Sequence, residues 1–184
     1  MLTRRSFAAA TVASVLATPA LANQNRRLPW KFRPQEVDVN PELPPGQIHV
    51  VKRDYFLYWT LGDGRARRYG VAIGADGRNI DGLLTIRDKR EWPSWKPTVS
   101  MIRHEPHVYG PFAAGLPGGH PSNPMGARAL YLWRGPQPTF FRIHGTPQPW
   151  TIGTGFSSGC VRLTNEHIEE LYEMVPVGTE VFLF

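Results

Sequence analysis

The sequence predicts a mainly β fold with one short helix, arranged as a sandwich or barrel-like sheet, and three observations predict it. Short runs of β-branched and aromatic residues recur from Ile48 onward, separated by Gly, Pro, Asn and Asp turn signals. A sustained helical period occurs near the end of the chain, between Asn165 and Val175. Strands at this spacing, with no helices alternating between them, favour a sandwich or barrel over a βαβ fold.

Residues 1 to 22, MLTRRSFAAATVASVLATPALA, have two arginines, a short alanine-rich apolar run, Pro19 and a small-x-small ending. That is the layout of a signal peptide cleaved after Ala22, so the protein is expected to be exported to the periplasm. The Thr3-Arg4-Arg5-Ser6-Phe7 run resembles a twin-arginine signal, with an ordinary secretory signal as the alternative. The apolar run is shorter than the roughly 20 residues that span a bilayer, so no stable membrane span is expected after cleavage. No cysteine near the cleavage site offers a lipid anchor.

Residues 23 to 46 carry five prolines and no apolar period, and read as a Pro-rich linker or surface arm on which Trp30 and Phe32 are docking candidates. Ile48 to Val51 and Tyr55 to Thr60 read as strands around a Lys52-Arg53-Asp54 hairpin turn. Gly62-Asp63-Gly64 marks the next turn, and Tyr69 to Ile73 and Leu83 to Ile86 read as further strands. The stretch from Glu91 to Pro124, rich in proline, Trp and His, reads as a long loop walling a site. Ala129 to Trp133 and Thr139 to His144 read as strands. In the second, the period of two puts Phe141 and Ile143 on one face and Arg142 and His144 on the other. Asn165 is expected to cap a helix whose buried stripe is Ile168, Leu171, Tyr172 and Val175; Pro176 and Gly178 stop it, and Val181 to Phe184 reads as a last strand.

The 184 residues have a formal charge of +6. Removing residues 1 to 22 takes away two arginines and no acid, leaving +4 on a length that suits one domain with a proper core. A modest positive charge suits anionic surroundings and is equally common in solvated domains, so it excludes little. Nothing resembles an arginine-rich recognition helix or a stacking platform, so no nucleic acid partner is expected. His104, His107 and His120 lack a carboxylate arranged as in H-E-x-x-H, and no metal or other cofactor is expected.

Cys160 is the one cysteine. In an oxidising compartment a retained lone thiol cannot form an internal disulfide and is a candidate nucleophile, with a small buried hydrophobe as the bland alternative. A thiolate, not a thiol, is the nucleophile, so an imidazole must come within reach, and His144 stands sixteen residues upstream. Gly153, Gly155 and Gly159 permit tight turns beside it, and backbone N–H groups just before the sulfur suit an oxyanion hole. Gly155-Phe156-Ser157-Ser158-Gly159 formally matches a G-x-S-x-G elbow, but that motif needs a helix directly after it and an acid and a histidine downstream. The glycine clusters also lack the Lys-Ser or Lys-Thr ending of a phosphate loop.

The run HGT followed by IGTGFSSGCVRL resembles the signature of the L,D-transpeptidase catalytic domain, the YkuD family. NPMGARALYLWRG, YGVAIG and LPPGQIHVVKRDYFLYW are similar to further segments of that family, so the resemblance covers about residues 43 to 184, with the catalytic domain placed at 47–184. It implies an exported cysteine acyltransferase acting on peptidoglycan stem peptides. Cys160 attacks the L,D amide of a tetrapeptide stem, D-alanine leaves, and an amine acceptor takes the acyl group. The acceptor is a second stem, giving a 3-3 cross-link, a free D-amino acid or an outer-membrane protein. Hydrolysis with water as acceptor is the alternative within enzymes, and a non-catalytic wall-binding domain the alternative outside them. The resemblance assigns His144 as base, the Gly145 carbonyl to orient it, the N–H groups of Ser158 to Cys160, Gly159 included, to the oxyanion, and Arg162 to a substrate carboxylate or the motif loop. His120 is expected beside the substrate, as the alternative base. One departure stands out: many members carry histidine where this chain has Ser158.

Overall fold

A computed structural model describes residues 28 to 184, so the expected signal peptide at 1–22 lies outside the described residues. After a 3-10 turn at Trp30–Phe32 the chain forms β1 (Gln35–Asp38), β2 (Ile48–Val51), β3 (Phe56–Gly62), β4 (Arg65–Gly70), β5 (Ile73–Gly74) and β6 (Gly82–Glu91). Two short helices follow, α1 (Val99–His104) and α2 (Pro106–Tyr109). Then come β7 (Arg128–Arg134), β8 (Gln137–His144), β9 (Gly155–Ser157), β10 (Val161–Arg162), α3 (Asn165–Met174) and β11 (Glu180–Leu183).

Nine strands form one mixed sheet in the order β1-β4-β3-β2-β11-β6-β7-β8-β10, and β5 pairs with β9 in a separate parallel ribbon. The sheet is tied back on itself at the end that carries the cysteine. Ala72, just beyond β4, exchanges both backbone hydrogen bonds with Arg162 of β10, at 2.9 and 2.8 Å. The fold is thus mainly β and barrel-like, as expected from the strand spacing. Its core takes alternate residues of each strand, among them Ile48, Leu57, Leu84, Leu130 and Ile143, closed by Ile168 and Leu171 of α3. Burying each such side chain contributes about 1.5–3 kcal/mol, which is why the period of two in these segments dictates their register.

Four local expectations are corrected. The arm at 23–46 is not a free linker in its described part: β1 pairs antiparallel with β4, Val37 opposite Ala66, as an edge strand with prolines before and after it. Phe32 is buried against Gly70, but Trp30 is 70% exposed and docks nothing. The long loop expected from Glu91 onward begins as the end of β6, which continues to Glu91, and then contains α1 and α2. The cap of α3 is Thr164, whose hydroxyl accepts from the His167 N–H at 3.3 Å, while Asn165 is the first helical residue. Asn165 instead accepts from the Ala127 N–H at 3.0 Å, joining the helix start to the entry of β7. Among the described residues no helix is long and apolar enough to cross a membrane.

Candidate active site

The site is built where β8 and β10 run side by side. They pair in parallel, with Val161 opposite Ile143 and Arg162 opposite His144. That register brings Cys160, just before β10, to the end of β8 that carries His144. Alternate residues of β8, Phe140, Arg142 and His144, line a cleft of about 910 Å³ together with Cys160 and Arg162. The α1–α2 segment forms the facing wall, where Trp95 packs edge-on against Phe112 and near Tyr109.

His144 is 2% exposed, and its Nδ1 lies 2.6 Å from the Gly145 carbonyl. A carbonyl only accepts, so Nδ1 carries the proton and donates, and Nε2 is left as the basic nitrogen. Burial, reinforced by Arg162 and Arg142, pushes the His144 imidazole down to about 3. Burial likewise pushes the half-buried Cys160 thiol up, while Arg142 and Arg162 pull it down. Burial thus works against charge on both groups, while the two arginines work against it on the imidazole and for it on the thiol. The thiol donates to the Phe140 carbonyl at 3.8 Å.

The loop before the cysteine is shaped by Ser157. Its buried hydroxyl donates to the Cys160 carbonyl at 2.6 Å and accepts from the Gly159 N–H at 3.1 Å. This removes Gly159 from the expected oxyanion donors, whereas the N–H groups of Ser158 and Cys160 have no partner among the described residues. Gly159 itself is required here: its φ is +130°, and a Cβ would lie 2.6 Å from both the Arg78 carbonyl and the Phe141 ring. Ser158 faces the opposite wall, its Oγ 3.1 Å from the Tyr109 hydroxyl.

Arg162 lies in the cleft with its Cζ 5.4 Å from the centre of the Phe156 ring, and burial pushes its guanidinium down from the usual range. Its Nε is buried without a partner, and no carboxylate pairs with it among the described residues. His120 does not join the site. It is exposed on a turn, its Nδ1 accepting from the Ser122 N–H at 3.1 Å, and it does not line the cleft. Tyr109, Ser157 and Arg142 had no site role assigned from sequence, although Ser157 lies within the motif and Arg142 on the same strand face as His144.

A second trench, of about 740 Å³, meets the cleft at Trp95, Tyr131 and Arg142. Arg90 and Lys96 line it, and no carboxylate does.

A family model described as the L,D-transpeptidase catalytic domain matches residues 45–183. The "Probable L,D-transpeptidase YbiS" of Escherichia coli K12 is 38% identical over 150 residues, which is 80% of this chain and 47% of that protein. The chain thus spans about half the length of the curated relatives it matches. A crystal structure of a Brucella melitensis protein described as a probable carnitine operon oxidoreductase, CaiA, is 48% identical, with a TM-score of 0.57 over 84% of this chain and 94% of that one. An Enterococcus faecium L,D-transpeptidase mutant shares the fold at 17% identity, with a TM-score of 0.54 over 77% of this chain and 50% of that one. On the family model and the curated relatives, this chain belongs to the L,D-transpeptidase catalytic domain family, YkuD.

Proposed function

We propose that this chain is an exported L,D-transpeptidase acting on peptidoglycan stem peptides, with Cys160 as nucleophile and His144 as general base. One observation carries the reading: Cys160 and His144 line the same cleft, and the bond from Nδ1 to the Gly145 carbonyl leaves Nε2 able to take a proton.

In this scheme Nε2 takes the thiol proton as the sulfur attacks the carbonyl of the L,D amide between the third and fourth residues of a tetrapeptide stem. The N–H groups of Ser158 and Cys160 are the donors available to the tetrahedral oxyanion. The C–N bond breaks, the imidazolium returns its proton to the departing D-alanine amine, and a thioester remains on Cys160. An amine of a second stem then attacks the thioester. Its proton passes through His144 to the sulfur as the thiol leaves, and a 3-3 cross-link results.

Arg162 suits a substrate carboxylate, being a cation in the cleft without an acidic partner among the described residues. The second trench, which meets the cleft at Arg142, is a place where an acceptor could lie. A free D-amino acid or an outer-membrane protein amine fits the same step. Residues 1–22 are read as the signal peptide, of twin-arginine type, that delivers the domain at 47–184 to the periplasm.

The test is mass spectrometry of disaccharide-tetrapeptide incubated with residues 23 to 184, beside the Cys160→Ala variant. Cysteine-dependent loss of D-alanine with a cross-linked dimer is the expected result. Tripeptide monomer alone would make the chain a hydrolase, and no cysteine-dependent product with stems, D-amino acids or protein acceptors would make it a wall-binding domain.

A further inference from the structure

Arg142 has no assigned role, yet its side chain shares a hydrogen-bond acceptor with the Cys160 thiol. In the parallel register of β8 and β10, Val161 faces Ile143 and Arg162 faces His144. Carrying that register back one residue sets Cys160 opposite Arg142. The Arg142 side chain is held on two sides: Nη1 donates to the Phe140 carbonyl at 2.6 Å, and Cζ lies 4.8 Å from the centre of the Tyr131 ring. The Cys160 thiol donates to the same Phe140 carbonyl at 3.8 Å. Guanidinium nitrogen and sulfur therefore share one acceptor and are no farther apart than the sum of those two distances.

The charge of Arg142 is not neutralised locally. No carboxylate pairs with it among the described residues, whereas the nearby Arg78 holds Glu105 at 2.8 Å and Arg90, 4.9 Å from the same Tyr131 ring, holds Asp88 at 2.8 Å. The other titratable and charged groups lining the cleft are His144 on β8, Arg162 on β10, Tyr131 on β7, Tyr109 on α2, His104 on α1, Lys96, Glu105 and the Arg78 that pairs with it. His144 is neutral at rest. Arg162 is set against the Phe156 ring.

We propose that Arg142 is the charge partner of the Cys160 thiolate: fixed by the Phe140 carbonyl and the Tyr131 ring, its guanidinium stands ready beside the sulfur when the proton leaves. Loss of that proton removes the thiol's claim on the Phe140 carbonyl, while Arg142 keeps its own bond there and so stays in place. An opposite charge at this range favours the ionised thiol. Consistently, Arg142 opposes the effect of burial on Cys160 through both its side chain and its backbone. Ser158, two residues before the sulfur, is engaged with Tyr109 and brings no charge to it. For acyl transfer the inference rests on the proposed reading; for thiol ionisation it does not.

The experiment measures the rate of iodoacetamide alkylation against pH for the native chain and for Arg142→Lys, Arg142→Gln and Arg142→Met. Cys160 is the one cysteine, so every adduct reports on it. The two neutral variants should move the profile to higher pH and slow alkylation at neutral pH about tenfold. Arg142→Lys, which keeps the charge and loses the fork, should stay within about threefold of native. Near-ultraviolet circular dichroism identifies any variant that fails to fold; Met keeps an apolar stem against Tyr131, so it decides if Gln does not fold. Native profiles in the neutral variants, or a lysine variant as slow as they are, would overturn the proposal. Alkylation needs no stem peptide, so a chain that is inactive on stems but shows the shift keeps this assignment and loses only the proposed activity.

Discussion

Ser157 and Cys160 are joined by a 2.6 Å hydrogen bond from the serine hydroxyl to the cysteine's own carbonyl, so Cys160 is held through its backbone as well as by its thiol's bond to the Phe140 carbonyl. The same oxygen accepts from Gly159, closing a three-residue loop at a site where Ser157 is 1% exposed. Ser157→Ala leaves both groups without that partner. It should cost about 1–3 kcal/mol of stability, the usual penalty for a buried group left unsatisfied. Chemical denaturation gives the first number. Turnover of stems should fall with it, since the sulfur loses its fixed position.

Gly159→Ala should be worse. A Cβ there meets the Arg78 carbonyl and the Phe141 ring at 2.6 Å each, and the residue's φ of +130° is open to glycine alone. Loss of soluble folded protein, or a lowered melting temperature with no acyl-enzyme detectable by mass spectrometry, is the expected outcome. A variant with native melting and native labelling would show that the loop moves freely.

Cys160→Ala should abolish acyl transfer, because no other group in the cleft forms a thioester. His144→Ala should retain the thiol and lose on the order of 10²-fold in rate, the usual scale for a general base. Turnover near native in either variant contradicts the assignment; for His144 it would move the base to His104 or Glu105, which also line the cleft, since His120 lies outside it.

Stability should depend on His144 through pH. Its pKa is about 3 in the fold against an ordinary value of 6.5, so between these values the unfolded chain binds a proton that the native chain does not. Its contribution is complete above about pH 6.5 and is lost progressively as the pH falls towards 3, at about 1.4 kcal/mol per pH unit. His144→Gln keeps a neutral donor for the Gly145 carbonyl and does not titrate. Subtracting its denaturation midpoints from the native ones between pH 7 and 4 should reveal this slope. Parallel curves would show that the imidazole does titrate in the folded protein.

How much of this was legible in the sequence follows from the range over which each signal acts. The strands from Ile48 to His144 and the helix after Thr164 could be read because burial on one face imposes a period within a few residues. β1 could not, because an edge strand needs only one bonded side, and its flanking prolines read as a linker. α1 and α2 are too short for a period, although the Thr98 cap and Pro106 at a first helical position are local signals in retrospect. In the site, Cys160 and His144 were marked by their residue types and the motif around them. Ser157 and Ser158 look alike in a string, and only the fold turns one inward to the loop and the other across to Tyr109. His120 was misplaced for the same reason: nothing local told a turn-capping imidazole from one facing a cleft.

The place of β11 carries a consequence for how the molecule is made. It lies between β2 and β6, and the Gln47–Glu180 hydrogen bond at its edge joins residues 133 apart in sequence. Until residues 180 to 183 emerge, β2 and β6 have no strand to connect them, and contacts of such separation are slow to form. The β8–β10 seam beside Cys160 is also the point where Arg162 is stitched to Ala72. A chain that has not yet made residues 180 to 183 therefore holds Cys160 without the strand that joins the two halves of the sheet.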